Sequence, residues 1–213
     1  MLPSVLEKGY KLFSDSEIDY VKDNIYKRGS KYEDKSTGSK KELTSYYYTW
    51  KFYDSDFADI RNILEPKVKS VIDVDLIFDH SHILHSLIPY SLHTDFYQKN
   101  MFNNPKIVPA YTIIIPLDDF KTSTFVFNQS DEDKELANLD RSKVLEDCVD
   151  KDTRENYLSH IKDTELDYLS VKEQFHWTKG SLHACDRRYV HCSDNYNLDF
   201  KNAIIFWTSM KNV

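Results

Sequence analysis

The stretch SLHTDFY, residues 91–97, places His93 and Asp95 two positions apart. On a β-strand, residues i and i+2 point to one face, so an imidazole and a carboxylate at that spacing can grip one metal ion together. Two ligands do not make a site. His93-Thr94-Asp95 is the only H-x-D in the chain, and about one such match is expected by chance in a sequence of this composition. Alone, the pair reads equally well as a hydrogen-bonded surface pair. A third ligand, brought alongside from a distant segment, is what would lift it above coincidence.

Seven other histidines compete for that place. His80, His82 and His85 cluster in DHSHILH, and His80 and His82 would share a strand face. Three histidines from this cluster would make a separate metal site of the cupin-dioxygenase kind, but no carboxylate stands at matching spacing. His160 falls in a highly charged segment and is expected to be exposed. His176 and His183 flank or lie within a predicted strand and are expected to pack or hydrogen-bond. His191 is different. It sits in GSLHACDRRYVHCSDN, between two predicted strands, and Lys201 follows ten positions later at the start of KNAIIFWTS. Lys201 is in phase with Ala203, Ile205 and Trp207, so a barrel interior on that face would bury its ammonium. A buried lysine needs an anion; a lysine at an open strand end snorkels to water instead. A dicarboxylate chelating a metal would supply that anion. Two histidines and a carboxylate on one octahedral face are the set that holds ferrous iron in oxygen-activating enzymes, with three positions left open. Arg187 and Arg188 precede His191, and strand alternation should send one inward, where it would bind a substrate carboxylate or phosphate. The competing expectation is two exposed arginines paired with acidic neighbours. Cys192 and Ser193 are expected to pack or cap a turn.

These residues need elements to position them. Residues 14–28 predict a helix: Ser14 and Glu17 form a capping box, and Ile18, Val21 and Ile25 recur at helical spacing. Residues 29–42 are polar and predict a loop, and 43–53 are aromatic and β-branched, hence strand-like. Residues 56–72 predict a helix broken near Pro66. From residue 74 the pattern turns to short strands, at 75–78, 82–88, 91–97, 110–117, 122–129, 180–186 and 202–209. Many short strands after N-terminal helices predict a mainly β chain, a sandwich or jelly-roll with supporting α-helices. Residues 130–170 interrupt the strands with a charged, partly helix-periodic insertion. It reads as a solvated excursion or as a substrate lid; Leu136, Leu139, Val144, Leu145, Tyr157, Leu158 and Ile161 are its candidate docking residues.

Composition bounds the rest. The chain has 213 residues, 40% of them hydrophobic and 30% charged, which suits one soluble domain with a substantial core. Net charge is −7 and no long basic run is present, the pair Lys40-Lys41 being too short to count, which argues against a nucleic-acid partner. Three cysteines without a C-x-x-C argue against a disulfide framework or zinc ribbon and for a reducing compartment. No signal-peptide core or spanning segment is visible, so a cytoplasmic protein without membrane contact is expected.

The ordered set LHTDF (92–96), WTKGSLHACDRRYVHCSDN (177–195) and KNAIIFWTS (201–209) resembles the Fe(II)/2-oxoglutarate-dependent oxygenase superfamily, most of all its small prolyl-hydroxylase-like bacterial and phage branch. The resemblance covers about residues 75–210. It implies a single oxygenase domain with a double-stranded β-helix (jelly-roll, cupin-like) core at 74–129 and 171–213. Residues 1–73 would be a support layer and 130–170 a helical insertion. It implies His93, Asp95 and His191 as iron ligands and catalytic residues, and Lys201 as the cation for the distal carboxylate of 2-oxoglutarate. Relatives commonly carry arginine there, with serine or threonine two positions on; Ala203 stands at that place here. A second hydroxyl must then come from Thr112 or Tyr111, of which alternation allows one inward, with Thr112 favoured. The implied cofactors are Fe(II), 2-oxoglutarate and O2, the products succinate and CO2. The carboxylate of Asp95 favours hydroxylation over halogenation. Substrates left open include peptidyl proline and small molecules. The alternative is a non-catalytic cupin-like binding module, or a cupin dioxygenase that does not use 2-oxoglutarate.

Overall fold

The computed structural model describes residues 5–8, 11–35, 43–95, 106–130, 144–196 and 200–211. Its first elements are β1 (Val5–Lys8), α1 (Asp15–Arg28), β2 (Ser30–Lys35), β3 (Leu43–Trp50), α2 (Ala58–Val71) and β4 (Ile77–Ser86). Then come β5 (Ile107–Pro116), β6 (Ser123–Ser130), α3 (Lys151–Tyr157), α4 (Asp163–Leu166), β7 (Val171–His176), β8 (Leu182–Asp186), β9 (Tyr189–Ser193) and β10 (Lys201–Lys211). The larger sheet runs β1-β8-β5-β10-β4-β3-β2 and the smaller β7-β6-β9. All their pairings are antiparallel. Two facing sheets with crossed-over strand order make a double-stranded β-helix, backed by helices on the larger sheet.

Why the larger sheet holds its place follows from strand alternation. One face carries Ile83, Ile113, Ile115, Ala184, Ile204 and Phe206, packed on Ile18, Val21 and Ile25 of α1 and on Ile60, Leu64 and Val68 of α2. The other face turns Leu84, Ile114, Ala203, Ile205 and Trp207 towards Trp177 and the smaller sheet. Both faces of β10 are therefore buried, and its central run, Ala203 to Trp207, is apolar without alternation, unlike a half-solvated strand. At the head of α1, Ser14 and Glu17 bond reciprocally as a capping box, which satisfies backbone donors that the first turn would leave unpaired. Helix α2 does not break at Pro66. The carbonyl deprived of its donor belongs to Asn62, and both residues are exposed, so water can satisfy it at little cost.

Gly180 ties the helical layer to the barrel. Its carbonyl accepts from the amides of Leu12 and Phe13 at 2.9 and 3.0 Å, and its own amide donates to Pro116 at 3.0 Å. Its φ of +74° is left-handed, and a Cβ there would meet the Phe13 carbonyl oxygen at 2.5 Å.

Several elements differ from expectation. Residues 29–42 hold strand β2, exposed at every position; it is a polar sheet edge, so it lacks the apolar alternation by which strands are recognised. The strands expected at 75–78 and 82–88 are one strand, β4, continuous through Asp79-His80-Ser81. Residues 91–95 are not a regular strand. They meet β9 through one isolated bridge, His93 to His191. Of the insertion, 144–170 keeps one face in solvent and buries the other. Val149, Leu158, Ile161, Leu166 and Leu169 pack on Phe125 and Phe127 of β6 and Val190 of β9, forming a second core on the outer face of the smaller sheet. Val144 and Tyr157 are exposed, and Leu136 and Leu139 lie outside the described residues.

Candidate metal centre

Two segments converge between the sheets. The loop after β4 delivers His93 and Asp95, and β9 delivers His191. The bridge between them is reciprocal: the His93 amide donates to the His191 carbonyl at 3.0 Å and the His191 amide to the His93 carbonyl at 2.9 Å. Asp95 is fixed next door, its amide donating to the Arg187 carbonyl at 3.0 Å. Ligand atoms of His93, Asp95 and His191 all lie within 4.8 Å of one another. Among the described residues these three alone form such a group. The histidines of DHSHILH do not: His85 stacks on Phe200, on the opposite face of β4 from His82.

The tautomers follow from hydrogen bonding. His93 Nδ1 lies 2.8 Å from the Ser91 carbonyl oxygen, and His191 Nδ1 lies 3.0 Å from the Tyr189 carbonyl oxygen. A carbonyl only accepts, so each Nδ1 carries the proton and each Nε2 turns its other valence to the site. This is how metal-binding histidines are commonly oriented. His191 Nε2 stands 3.3 Å from Asp95 Oδ2, and the Thr112 hydroxyl donates to the same oxygen at 2.5 Å. Burial pushes the His93 imidazole down to about 4, with His191 beside it adding to the shift. Burial also raises the Asp95 carboxyl, but His191, His93 and the Thr112 hydroxyl outweigh it, and the net shift is downward. His191 moves up because Asp95 more than offsets its burial. Asp95 thus favours the protonated form of His191. A divalent ion would displace that proton.

The residues fit a mononuclear metal. Two imidazole nitrogens with fixed tautomers and one ionised carboxylate make the two-histidine, one-carboxylate set, and the three come from one side of a cavity. That cavity has a volume of about 100 Å³ and is walled by Tyr47, His82, Tyr90, Trp177, Ile205 and Trp207 as well as the triad. At roughly 12 Å³ per water-sized position it holds on the order of eight such positions, the scale of a small dicarboxylate.

Lys201 lines the same cavity and is 2% exposed. Its ammonium lies 4.4 Å from the Trp177 ring centre and 4.8 Å from that of Tyr196. No carboxylate of the described residues comes within ion-pair distance. Burial pushes its pKa down to about 7, with Asp194 and Cys192 opposing the shift. Asp194 itself is engaged by the Thr122 hydroxyl and the Ser123 amide.

The remaining expected site residues fall elsewhere. Thr112 faces the cavity but spends its hydroxyl on Asp95. Tyr111, its neighbour on β5, points to the opposite face and is buried in the core beneath α1 and α2; alternation excludes it from the pocket. Arg187 is fully buried, yet it does not line the cavity: it donates to Asp79, to the Thr208 carbonyl and to the Asp95 carbonyl. Arg188 turns outward and pairs with Asp186 at 2.5 Å. Neither arginine stands where a substrate in this cavity would meet it. His160 is half-buried, its Nε2 3.3 Å from the Tyr90 carbonyl oxygen. The cavity residues absent from the expected set include Tyr47, Tyr90, His82, Trp177 and Trp207. Trp207 is in phase with Lys201, and Trp177 opens the W-x-x-G stretch; Tyr47 and Tyr90 carry no local signal, their hydroxyls meeting at 2.6 Å across 43 residues of sequence.

No protein-family profile matches the sequence, and no curated protein does. Solved structures do. The nogalamycin epimerase SnoN, in complex with Fe3+, alpha ketoglutarate and nogalamycin RO, matches at a TM-score of 0.58 and 12% identity over 97% of this chain and 78% of that one. An oxidoreductase of the 2OG-Fe(II) oxygenase family from Burkholderia pseudomallei matches at 0.55 and 10% identity, over 97% and 85%. HygX from Streptomyces hygroscopicus, with nickel and 2-oxoglutarate bound, matches at 0.55 and 11%, over 97% and 83%. The chain has the fold of the Fe(II)/2-oxoglutarate oxygenases.

Proposed function

We propose that this chain is an Fe(II)- and 2-oxoglutarate-dependent oxygenase that hydroxylates a small-molecule or peptidyl substrate. The observation that carries this reading is the pairing of a two-histidine, one-carboxylate group with a buried lysine that has no carboxylate partner among the described residues, in one cavity. The triad alone would also suit a hydrolytic zinc ion. Lys201 discriminates, because a buried ammonium without a carboxylate partner calls for an anionic ligand, and the fold is that of enzymes solved with 2-oxoglutarate bound.

His93, Asp95 and His191 would hold the iron, and Lys201 would meet the distal carboxylate of the cosubstrate. When bound, iron(II) with 2-oxoglutarate supplies O2-dependent oxidation of an unactivated C–H bond, the cosubstrate leaving as succinate and CO2. The chain's own part is positional. The Ser91 and Tyr189 carbonyls hold the imidazole tautomers, and Thr112 holds the Asp95 carboxylate. Trp177, Ile205 and Trp207 keep water from the cavity, which strengthens every charge interaction inside it. A small-molecule substrate is supported by the nogalamycin RO seen in SnoN. Hydroxylation is supported by the carboxylate of Asp95, which fills the position a halide would need.

The test is anaerobic calorimetry of 2-oxoglutarate binding to iron-loaded protein, followed by succinate formation in air. Binding should require iron, and His93→Ala, Asp95→Ala and His191→Ala should each lose it while keeping the wild-type circular dichroism spectrum. Iron-loaded protein that shows no heat with 2-oxoglutarate sinks the reading.

A further inference from the structure

The geometry points to Arg187 as the positioning residue for Asp95: it clamps the backbone of that ligand from both sides and so sets where its carboxylate stands. The inference rests on the reading of His93, Asp95 and His191 as metal ligands.

Asp95 has few local supports. It lies outside the regular strands, and among the described residues its segment bridges β9 only at His93. Its two backbone polar groups are both met by one residue. The Asp95 amide donates to the Arg187 carbonyl at 3.0 Å, and Arg187 Nε donates to the Asp95 carbonyl at 3.1 Å. Holding the groups on either side of a Cα fixes φ and ψ there, and with them the direction of the Cα–Cβ bond. The Thr112 hydroxyl can only select the carboxylate's rotation once that direction is given.

Arg187 is itself held on three sides. Its amide donates to the Ala110 carbonyl at 3.1 Å. Its Nη1 donates to Asp79 Oδ2 at 2.8 Å and to the Thr208 carbonyl at 3.1 Å. Asp79 is anchored in turn by the Ser209 hydroxyl at 2.8 Å. The guanidinium lies 5.8 Å from the centre of the Trp207 ring, another wall of the cavity. A run Ser209, Asp79, Arg187, Asp95 thus ties β10, β4 and the β8–β9 turn to the ligand segment. Arginine's rigid fork can face Asp79 and the Asp95 carbonyl in different directions at once; a lysine ammonium on a flexible stem does not reproduce that spacing. The β8–β9 turn is also four residues from His191, so the residue that places one ligand sits on the hairpin that carries another. Supports of metal ligands commonly change affinity 10–100-fold when removed.

The experiment is Co(II) titration of the purified full chain, read by calorimetry and by the visible spectrum, which responds to coordination number. Arg187→Lys keeps the charge and loses the fork. Asp79→Asn leaves Arg187 in place and loosens its anchor. Leu158→Ala, in the second core outside the smaller sheet, controls for general destabilisation. The expected result is Co(II) affinity weakened at least tenfold, with an altered spectrum, in both Arg187→Lys and Asp79→Asn, and unchanged in folded Leu158→Ala. Wild-type affinity and spectrum in either clamp variant overturn the clamp and leave the metal reading standing. An equal loss in Leu158→Ala also overturns it. A wild-type chain that binds no Co(II) overturns both.

Discussion

Lys201 shows what it costs to bury an ammonium among aromatic rings. Its ammonium faces two aromatic rings, whose quadrupoles stabilise a cation only partly. Burial brings its pKa down to about 7 from 10.5. The unfolded chain therefore binds more protons than the ligand-free folded one between about pH 7 and 10.5, so this residue's contribution to stability improves as pH rises through that window and is at its worst below 7. Binding of a dianion works in the opposite sense, since it needs the protonated lysine. Affinity of the metal-loaded protein for 2-oxoglutarate should fall with rising pH above 7, by up to about tenfold per unit. Calorimetry between pH 6 and 9, in buffers of differing ionisation heat, would show proton uptake appearing over the same range. Lys201→Met should abolish that binding and raise the melting temperature of the ligand-free protein, the stability gained at the expense of the site. A variant that melts lower at pH 6 would contradict the burial cost.

At the scale of elements, the turn at Gly180 joins three pieces: the segment leading into α1, the end of β5 and the start of β8. Gly180→Ala puts a Cβ 2.5 Å from the Phe13 carbonyl at a left-handed φ, so one of the hydrogen bonds from Leu12 and Phe13 must give way. A loss of about 1–3 kcal/mol is expected in urea unfolding, with a smaller effect of Ser14→Ala, about 1 kcal/mol, at the cap of α1. The elements read from sequence were those with a strong period or a strong punctuation mark. Helix α1 had both. Strands β5, β6 and β10 were apolar enough to be found. Strand β2 was missed because an exposed edge has no buried face to write into the sequence, and α2 runs through Pro66 because the orphaned carbonyl faces water. For the site, His93, Asp95, His191 and Lys201 were legible through order and spacing, and the structure brings them to one cavity. Tyr111 and the two arginines were not resolved, since alternation names two candidate faces and only packing chooses between them. Arg187 did turn inward, but towards Asp79 and the Asp95 backbone.

For the whole molecule, two cores serve different ends. One lies between the larger sheet and α1 and α2, and the other between the smaller sheet and residues 144–170. The site sits between the sheets, and Cys192, a member of the second core, also lines its cavity. Leu158→Ala should destabilise the fold by about 2–5 kcal/mol by leaving a cavity in the second core, yet folded molecules should keep wild-type metal affinity; thermal melts paired with titration separate the two. The reciprocal bridge from His93 to His191 closes 98 residues of chain with two hydrogen bonds. Contacts of such long sequence separation form late, after the loops between them have been ordered. A nascent or half-folded chain therefore does not yet bring the two imidazoles together, so on the proposed metal reading loading would follow folding.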